Sequence, residues 1–264
     1  MIHPTAIVAE GAQVHPDARI GPYCVVGEHV SIGAGTELMS HVVVGGRTTI
    51  GERNRIFPFA AVGGEPQDLK YHGEPSEVII GDGNTIRENV TINTGTEGGG
   101  MVTRIGNGNL LMAYAHVAHD CQIGNETVLA NCATLAGHIE IADGVIVGGL
   151  SAIHQFVRIG RYVMIGGMCG INKDVPPFCL VSGGYRAELT GLNMVGLKRR
   201  GFSMDEVRVL KQVYRVLLQG GGESLATRLD EARAMAGDDP HAREMIEFVA
   251  AARRGLVLHK RDAG

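Results

Sequence analysis

Tryptophan is absent from this chain, and aromatic residues fill only 5% of its 264 positions. With so few large rings, the interior must be narrow and packed with aliphatic side chains. No segment reaches the ~20 consecutive apolar residues of a membrane span. The opening Met-Ile-His-Pro-Thr has neither the basic flank nor the apolar run of a secretory signal. Basic charge is not in excess: Lys and Arg number 24 against 28 Asp and Glu, a net charge of −4. That total leaves no electrostatic footprint for nucleic acid. Five cysteines, Cys24, Cys121, Cys132, Cys169 and Cys179, are odd in number and lack C-x-x-C spacing. They read as reduced, mostly buried thiols of a cytoplasmic protein. Glycine is the residue in surplus, at 39 of 264, about twice the ordinary share. Few rings and many glycines suit a thin core with frequent tight corners.

What is present is a six-residue beat. An aliphatic residue stands at every sixth position in Ile2, Val8, Val14, Ile20, Val26, Ile32, Leu38, Val44, Ile50, Ile56 and Val62. After a pause the beat resumes at Ile80, Ile86 and Ile92, and after a second at Ile105, Leu111, Val117 and on to Ile171. Eleven, three and twelve beats make twenty-six positions without a polar residue among them. This period fits neither an amphipathic helix nor a long alternating strand. It fits a short strand plus a corner, one aliphatic side chain pointing inward on each face. Three faces close one triangular coil, which gives about nine coils of a parallel β-helix, roughly 40 Å long at the usual strand spacing.

The pauses are insertions. From Val62 to Ile80 the chain has twelve residues more than the beat needs, and from Ile92 to Ile105 seven more. A solenoid keeps its coils, so the extra residues must leave as loops, at 64–77 and 94–103. The first holds Gln67-Asp68-Leu69-Lys70-Tyr71-His72, whose plain reading is a solvated turn. The second, Gly95-Thr96-Glu97-Gly98-Gly99-Gly100, is expected to be flexible and shows little chemistry. The beat ends after Ile171, and the double proline Pro176-Pro177 is expected to end repeat pairing. Helical patterning follows. Ser203 and Glu206 form a capping box, Gly220 breaks that helix, a second helix runs from Ser224 to Ala236, and a third opens at Asp239-Pro240 and closes at Gly255. The expected fold is a β-solenoid over 1–190 and a small C-terminal α-helical domain over 191–264. Lys198-Arg199-Arg200, with Lys211 and Arg215, reads as a solvated basic face or as a dock for a phosphate or an acidic partner.

Chemistry concentrates at 115–121, Ala-His-Val-Ala-His-Asp-Cys. An imidazole takes protons near neutral pH, and an adjacent carboxylate can orient it and stabilise the imidazolium. Spacing alone makes His-x-x-His a weak signal. The beat adds context: Val117 and Leu135 lie eighteen residues, one full coil, apart. His119 and His138 therefore fall on successive coils near one edge, as either a catalytic or a metal site requires. His154 is expected to pack.

Taken together, the repeats, Asp-Leu-Lys-Tyr, His-Val-Ala-His-Asp-Cys, Leu-Ala-Gly-His (135–138), Ala-Ile-His-Gln-Phe (152–156), Asp-Val-Pro-Pro and Gly-Leu-Lys-Arg-Arg-Gly-Phe (196–202) resemble the UDP-N-acetylglucosamine 3-O-acyltransferase family. The resemblance spans essentially the whole chain. It implies a left-handed β-helix, a homotrimer with clefts between prisms, and transfer of a 3-hydroxyacyl chain from acyl carrier protein to the sugar at the start of lipid A synthesis. By the same resemblance His119 is the general base, Asp120 orients it, and the Gly137 backbone N–H stabilises the oxyanion. Gln67, Asp68 and Lys70 hold the sugar and acyl substituents, while His116, His138 and Gln155 line the acceptor and nucleotide site. Asn193 and Arg199 meet the uridine diphosphate, and Gly167 leaves room for a long acyl chain. No metal or cofactor is implied, since the thioester is already activated.

The chain departs from the family pattern at Asn93, where many members carry histidine, and at Val195, where an acid is usual. Both changes lie near the acceptor in the family, so a 3-amino sugar giving an amide is an alternative acceptor. The related N-acyltransferase is expected to carry an extra domain ahead of the repeats, whereas here the beat starts at Ile2. Two other classes share the scaffold. A zinc lyase of the carbonic-anhydrase type, with histidines contributed by two subunits, would use His116, His119 and His138, and a non-catalytic β-helix would need no His-Asp pair.

Overall fold

The aliphatic beat becomes the inner wall of a triangular prism, seen in a computed structural model that describes residues 1–220 and 222–259. Its strands are mostly two residues long, one side chain turned inward and its neighbour outward. The first face has nine strands, from Ile7–Val8 to Gly170–Ile171, and the second eight, from Gln13–Val14 to Arg158–Ile159. The third has ten, from Arg19–Ile20 to the strand Glu188–Leu192. The chain visits the faces in that order and climbs one coil per circuit, a left-handed parallel β-helix. Val117 pairs with Leu135 and Leu135 with Ile153, so residue n lies beneath n + 18. Across the insertions the register survives: Val62 pairs with Ile92, and Ile92 with Val117.

Inside, Leu38, Ile56, Ile92, Leu129 and Leu135 are fully buried. The first beats are the exception. Ile2, on the outermost coil described, is 49% exposed. The corners exact a steric cost, since fifteen non-glycine residues among those described turn them at positive φ, at roughly 1–2 kcal/mol each. Hydrogen bonds between coils offset it: Leu150 N–H donates to the Asn131 carbonyl at 2.9 Å and His138 N–H to that of His119 at 3.0 Å. The five cysteines are unpaired and four are buried. Burial pushes the Cys121 thiol up to about 12, which leaves it unreactive.

The double proline does not end the pairing, contrary to expectation. Val175 bridges to Ile159, and Cys179–Ser182 pairs in parallel with Met164–Ile165. Pro177 lies in a turn and Pro176 just before it, outside the strands, so neither removes a ladder bond. The strand Glu188–Leu192 then folds back antiparallel on Cys179–Ser182 and covers that edge.

Among the described residues four α-helices follow: α1 (Met194–Arg199), α2 (Met204–Tyr214), α3 (Leu225–Ala236) and α4 (Pro240–Ala250). The Ser203–Glu206 capping box is reciprocal, and Asn193, Ser224 and Asp239 cap the other three. One helical turn of π type, Arg215–Gln219, carries α2 to Gly220. The last helix ends at Ala250 and not at Gly255. Gly255, at φ +75°, instead turns the tail back so that Val257 N–H reaches the Asp174 carbonyl at 2.9 Å. The helical layer is thereby tied to the last coil.

Position in the prism predicts sensitivity to truncation. Leu129→Ala should destabilise the protein by about 2–5 kcal/mol, while Ile2→Ala should cost under about 0.5 kcal/mol. Denaturant unfolding of both variants, with equal losses, would contradict a core built from the beat.

Candidate active site

One edge of the prism gathers the polar chemistry. The corner between the first and second faces carries Asp120, His138 and Phe156 on successive coils, at φ +60°, +61° and +63°. The eighteen-residue repeat brings their side chains into a column. The His138 ring stacks on Phe156 with centroids 4.3 Å apart and meets the His119 ring edge-on at 4.9 Å. Both insertions leave the prism at this same edge, between first-face strands Ala61–Gly64 and Thr91–Asn93 and second-face strands Glu77–Ile80 and Val102–Ile105.

His119 and Asp120 are 8% and 4% exposed. His119 Nδ1 lies 2.8 Å from Asp120 Oδ2. A carboxylate accepts only, so Nδ1 carries the proton and Nε2 keeps its lone pair. Asp68 Oδ2 lies 3.8 Å from that Nε2. Beneath the ring lies Gly137, where a Cβ would stand 2.6 Å from His119 Nε2. Only glycine admits the imidazole there. Gly137 N–H makes no hydrogen bond among the described residues.

The second insertion is ordered, contrary to expectation, and takes part. Thr96 N–H donates to Asp120 Oδ1 at 2.9 Å and its hydroxyl to Oδ2 at 2.6 Å, while Asp120 N–H donates to Thr103 Oγ1 at 2.8 Å. Gly95 and Gly99 press so closely on the carboxylate that a Cβ at either would overlap it. The first insertion is fastened to the second: Ser76 Oγ donates to Thr94 Oγ1 at 3.0 Å and Glu97 N–H to Glu74 Oε1 at 3.2 Å. Counting beats could have found this. Val62, Ile92 and Val117 are the eleventh, fourteenth and seventeenth, so both insertions share the phase of the His119 corner.

The remaining expected residues divide by place. Lys70 gives its backbone N–H to Asp68 at 3.0 Å and leaves its side chain exposed, as is that of Gln67. His116, on the outer side of the first face, hydrogen-bonds Thr91 Oγ1 through Nδ1 at 2.7 Å. Gln155 is exposed beside Phe156. His154 is exposed rather than packed, because it faces outward from the corner beside Ile153. Gly167 sits on the edge between the third and first faces, where a Cβ would approach the Gly149 carbonyl at 3.3 Å. Asn193 lies at the third edge, its side chain engaged by Gly196 N–H and the Tyr162 carbonyl. Arg199 is exposed in α1, and Arg200 beside it covers the Tyr162 ring at 4.1 Å. Within one chain these groups therefore occupy three separate edges. Asn93 is buried at the root of the second insertion, donating to the Glu65 carbonyl at 2.9 Å, while Val195 is 63% exposed.

Burial, followed by the neighbouring His119, holds His116 below the ordinary imidazole value. Burial likewise holds His138 down, against an opposing pull from the Asp120 carboxylate. Asp68 is held below the usual carboxylate range, first by the Lys70 N–H and next in strength among the lowering influences by His119. Burial thus disfavours the charged forms of His116 and His138, while the ionised form of Asp68 is favoured. His119, Asp120 and His138 also place ligand atoms within 4.8 Å of one another. Within one chain it is Asp120, and not His116, that groups with the two histidines at that spacing.

Comparison with known proteins settles the family. A family described as bacterial transferase hexapeptide (six repeats) matches residues 103–137, and one described as UDP N-acetylglucosamine O-acyltransferase, domain 2, matches 174–257. A protein of Anaeromyxobacter dehalogenans named acyl-[acyl-carrier-protein]–UDP-N-acetylglucosamine O-acyltransferase is 49% identical, over 97% of this chain and 99% of that one. The chain belongs to the acyl carrier protein–UDP-N-acetylglucosamine O-acyltransferase family. A like-named protein of Xylella fastidiosa is 46% identical over 97% of each chain. Among solved structures, LpxA of Acinetobacter baumannii superposes with a TM-score of 0.93 at 44% identity, covering 97% of this chain and 99% of that one. The UDP-N-acetylglucosamine acyltransferase of Arabidopsis gives 0.84 at 34% identity, covering 97% and 100%. Among the described residues, no helix is long and apolar enough to cross a membrane.

Two expectations arise from this geometry. Gly137→Ala should displace the His119 ring and abolish turnover while the unfolding midpoint changes little. A wild-type rate would show that the close approach is dispensable. His116 and His138 bind protons more weakly folded than unfolded, so their contribution to stability is complete above the unfolded value of about 6.5 and lost as pH falls below it. Replacing both with Gln should flatten the fall in unfolding free energy between about pH 7 and pH 5, and an unchanged slope would contradict it.

Proposed function

We propose that this protein transfers a 3-hydroxyacyl chain from acyl carrier protein to the 3-hydroxyl of UDP-N-acetylglucosamine, the first step of lipid A synthesis, with His119 as general base. The observation carrying the mechanism is the buried His119, with Nδ1–H on Asp120, Nε2 open toward Asp68, and the Gly137 N–H alongside. His119 Nε2 takes the proton of the sugar 3-hydroxyl as its oxygen attacks the thioester carbonyl. Asp120 stabilises the resulting imidazolium, a role separate from accepting its proton. The carbonyl electrons collect on oxygen, where the Gly137 N–H donates. They return as the C–S bond breaks, and the imidazolium proton passes to the departing thiolate. The products are an ester and the free carrier thiol.

Asp68 and Lys70, with Gln67 beside them, orient the sugar and acyl substituents from the first insertion, while His116, His138 and Gln155 line the acceptor side. Asn193 presents α1, and Arg199 supplies a planar fork for the diphosphate. Gly167 leaves room for a long acyl chain. In a single chain these residues stand on separate edges, which supports a homotrimer with each cleft shared by two prisms. The basic run Lys198-Arg199-Arg200 suits an acidic carrier protein. The thioester makes a further cofactor unnecessary, and five unpaired cysteines suit a reducing cytoplasm.

The test is a competition between UDP-N-acetylglucosamine and its 3-amino analogue, with a long 3-hydroxyacyl carrier protein as donor. Wild type should acylate the hydroxyl sugar, and His119→Ala should lose at least about 100-fold in turnover. Preference for the amine would move the product to an amide and point to Asn93 and Val195. Full activity in His119→Ala would overturn the base assignment.

A further inference from the structure

Asp120 lies between two imidazoles. Its Oδ2 is 2.8 Å from His119 Nδ1 and 3.7 Å from His138 Nδ1, and rotation of the carboxylate would trade one partner for the other. What prevents that rotation comes from the second insertion. The Thr96 N–H occupies Oδ1, and the Thr96 hydroxyl occupies the second lone pair of Oδ2, leaving the first for His119. Thr96 is 5% exposed and Asp120 4%, so no water competes for these bonds. The insertion is held down independently, by Gly95 N–H on the Glu77 carbonyl at 3.3 Å and by Ser76 on Thr94.

We infer that Thr96 is a positioning residue for the transfer reaction: its hydroxyl commits Asp120 to His119 rather than His138. Thr96 bonds Asp120 through both its N–H and its hydroxyl, and it acts through that carboxylate. The inference rests on the reading of His119 and Asp120 as the catalytic pair. A hydroxyl bonded to a buried carboxylate is a strong, charge-assisted contact. Its loss should lower turnover about tenfold with the sugar KM within about twofold of wild type.

A double-mutant cycle tests it on the full-length protein, reading steady-state turnover of acyl carrier protein and UDP-N-acetylglucosamine. Thr96→Val keeps the β-branched shape and removes the hydroxyl, whereas Thr96→Ser restores it and should return turnover to within about threefold of wild type. Asp120→Ala removes the group through which Thr96 acts. If the inference holds, Thr96→Val costs about tenfold with Asp120 present and under about twofold with Asp120→Ala. Equal cost in both backgrounds, or a wild-type rate in Thr96→Val, overturns the role of Thr96 alone. A wild-type rate in Asp120→Ala overturns the catalytic pair itself. Thermal unfolding accompanies each variant, and Thr96→Ala replaces the valine if that variant does not fold.

Discussion

The ladder of backbone hydrogen bonds between coils governs everything at the reactive edge. It fixes residue n beneath n + 18, so a single side chain at a corner becomes a column of side chains along the prism. Asp120, His138 and Phe156 stand over one another because Val117, Leu135 and Ile153 pair without slippage. A shift of one residue would turn the inward aliphatics outward and scatter the column. Core packing and site geometry are thus one constraint, and the left-handed strain at Asp120 and His138 is held by the ladder on either side.

On that rigid edge the two insertions supply what a bare prism lacks. The solenoid can aim an imidazole and a carboxylate, but it cannot enclose them. Chain leaving at the same corner brings Asp68 in front of Nε2 and Thr96 behind the carboxylate, and the bonds among Glu74, Ser76, Thr94 and Glu97 join the two loops. The His–Asp pair is consequently buried on an otherwise solvent-facing edge. Burial removes water that would compete for the Asp120 oxygens and disfavours the charged forms of His116 and His138. Gly167, Asn193 and Arg199 lie on the other two edges, away from this pair.

Much of this was legible in the residue order. The beat reveals the prism because a hexapeptide repeat encodes inward positions locally, one per strand, with no need for long-range information. The capping box of α2 and the caps of α3 and α4 were readable for the same reason. Pro176-Pro177 and Gly255 misled because a corner tolerates what a strand would not, and whether a residue falls in a corner depends on pairing. Thr96 escaped notice because its loop has the composition of a flexible linker. Its order comes from Asp120, a residue distant in the chain.

The sequence by itself determined the solenoid, its approximate number of coils, the helical tail and the edge shared by His119 and His138, since each follows from a period or a local motif. Tertiary structure decided which nitrogen of His119 keeps its lone pair, that Gly137 must be glycine beneath that ring, and that Thr96 holds Asp120. Those facts depend on distances of about 3 Å between segments far apart in the chain, at which hydrogen bonds form or fail. Periodicity can bring such residues to one edge. Only the packed edge sets their contacts.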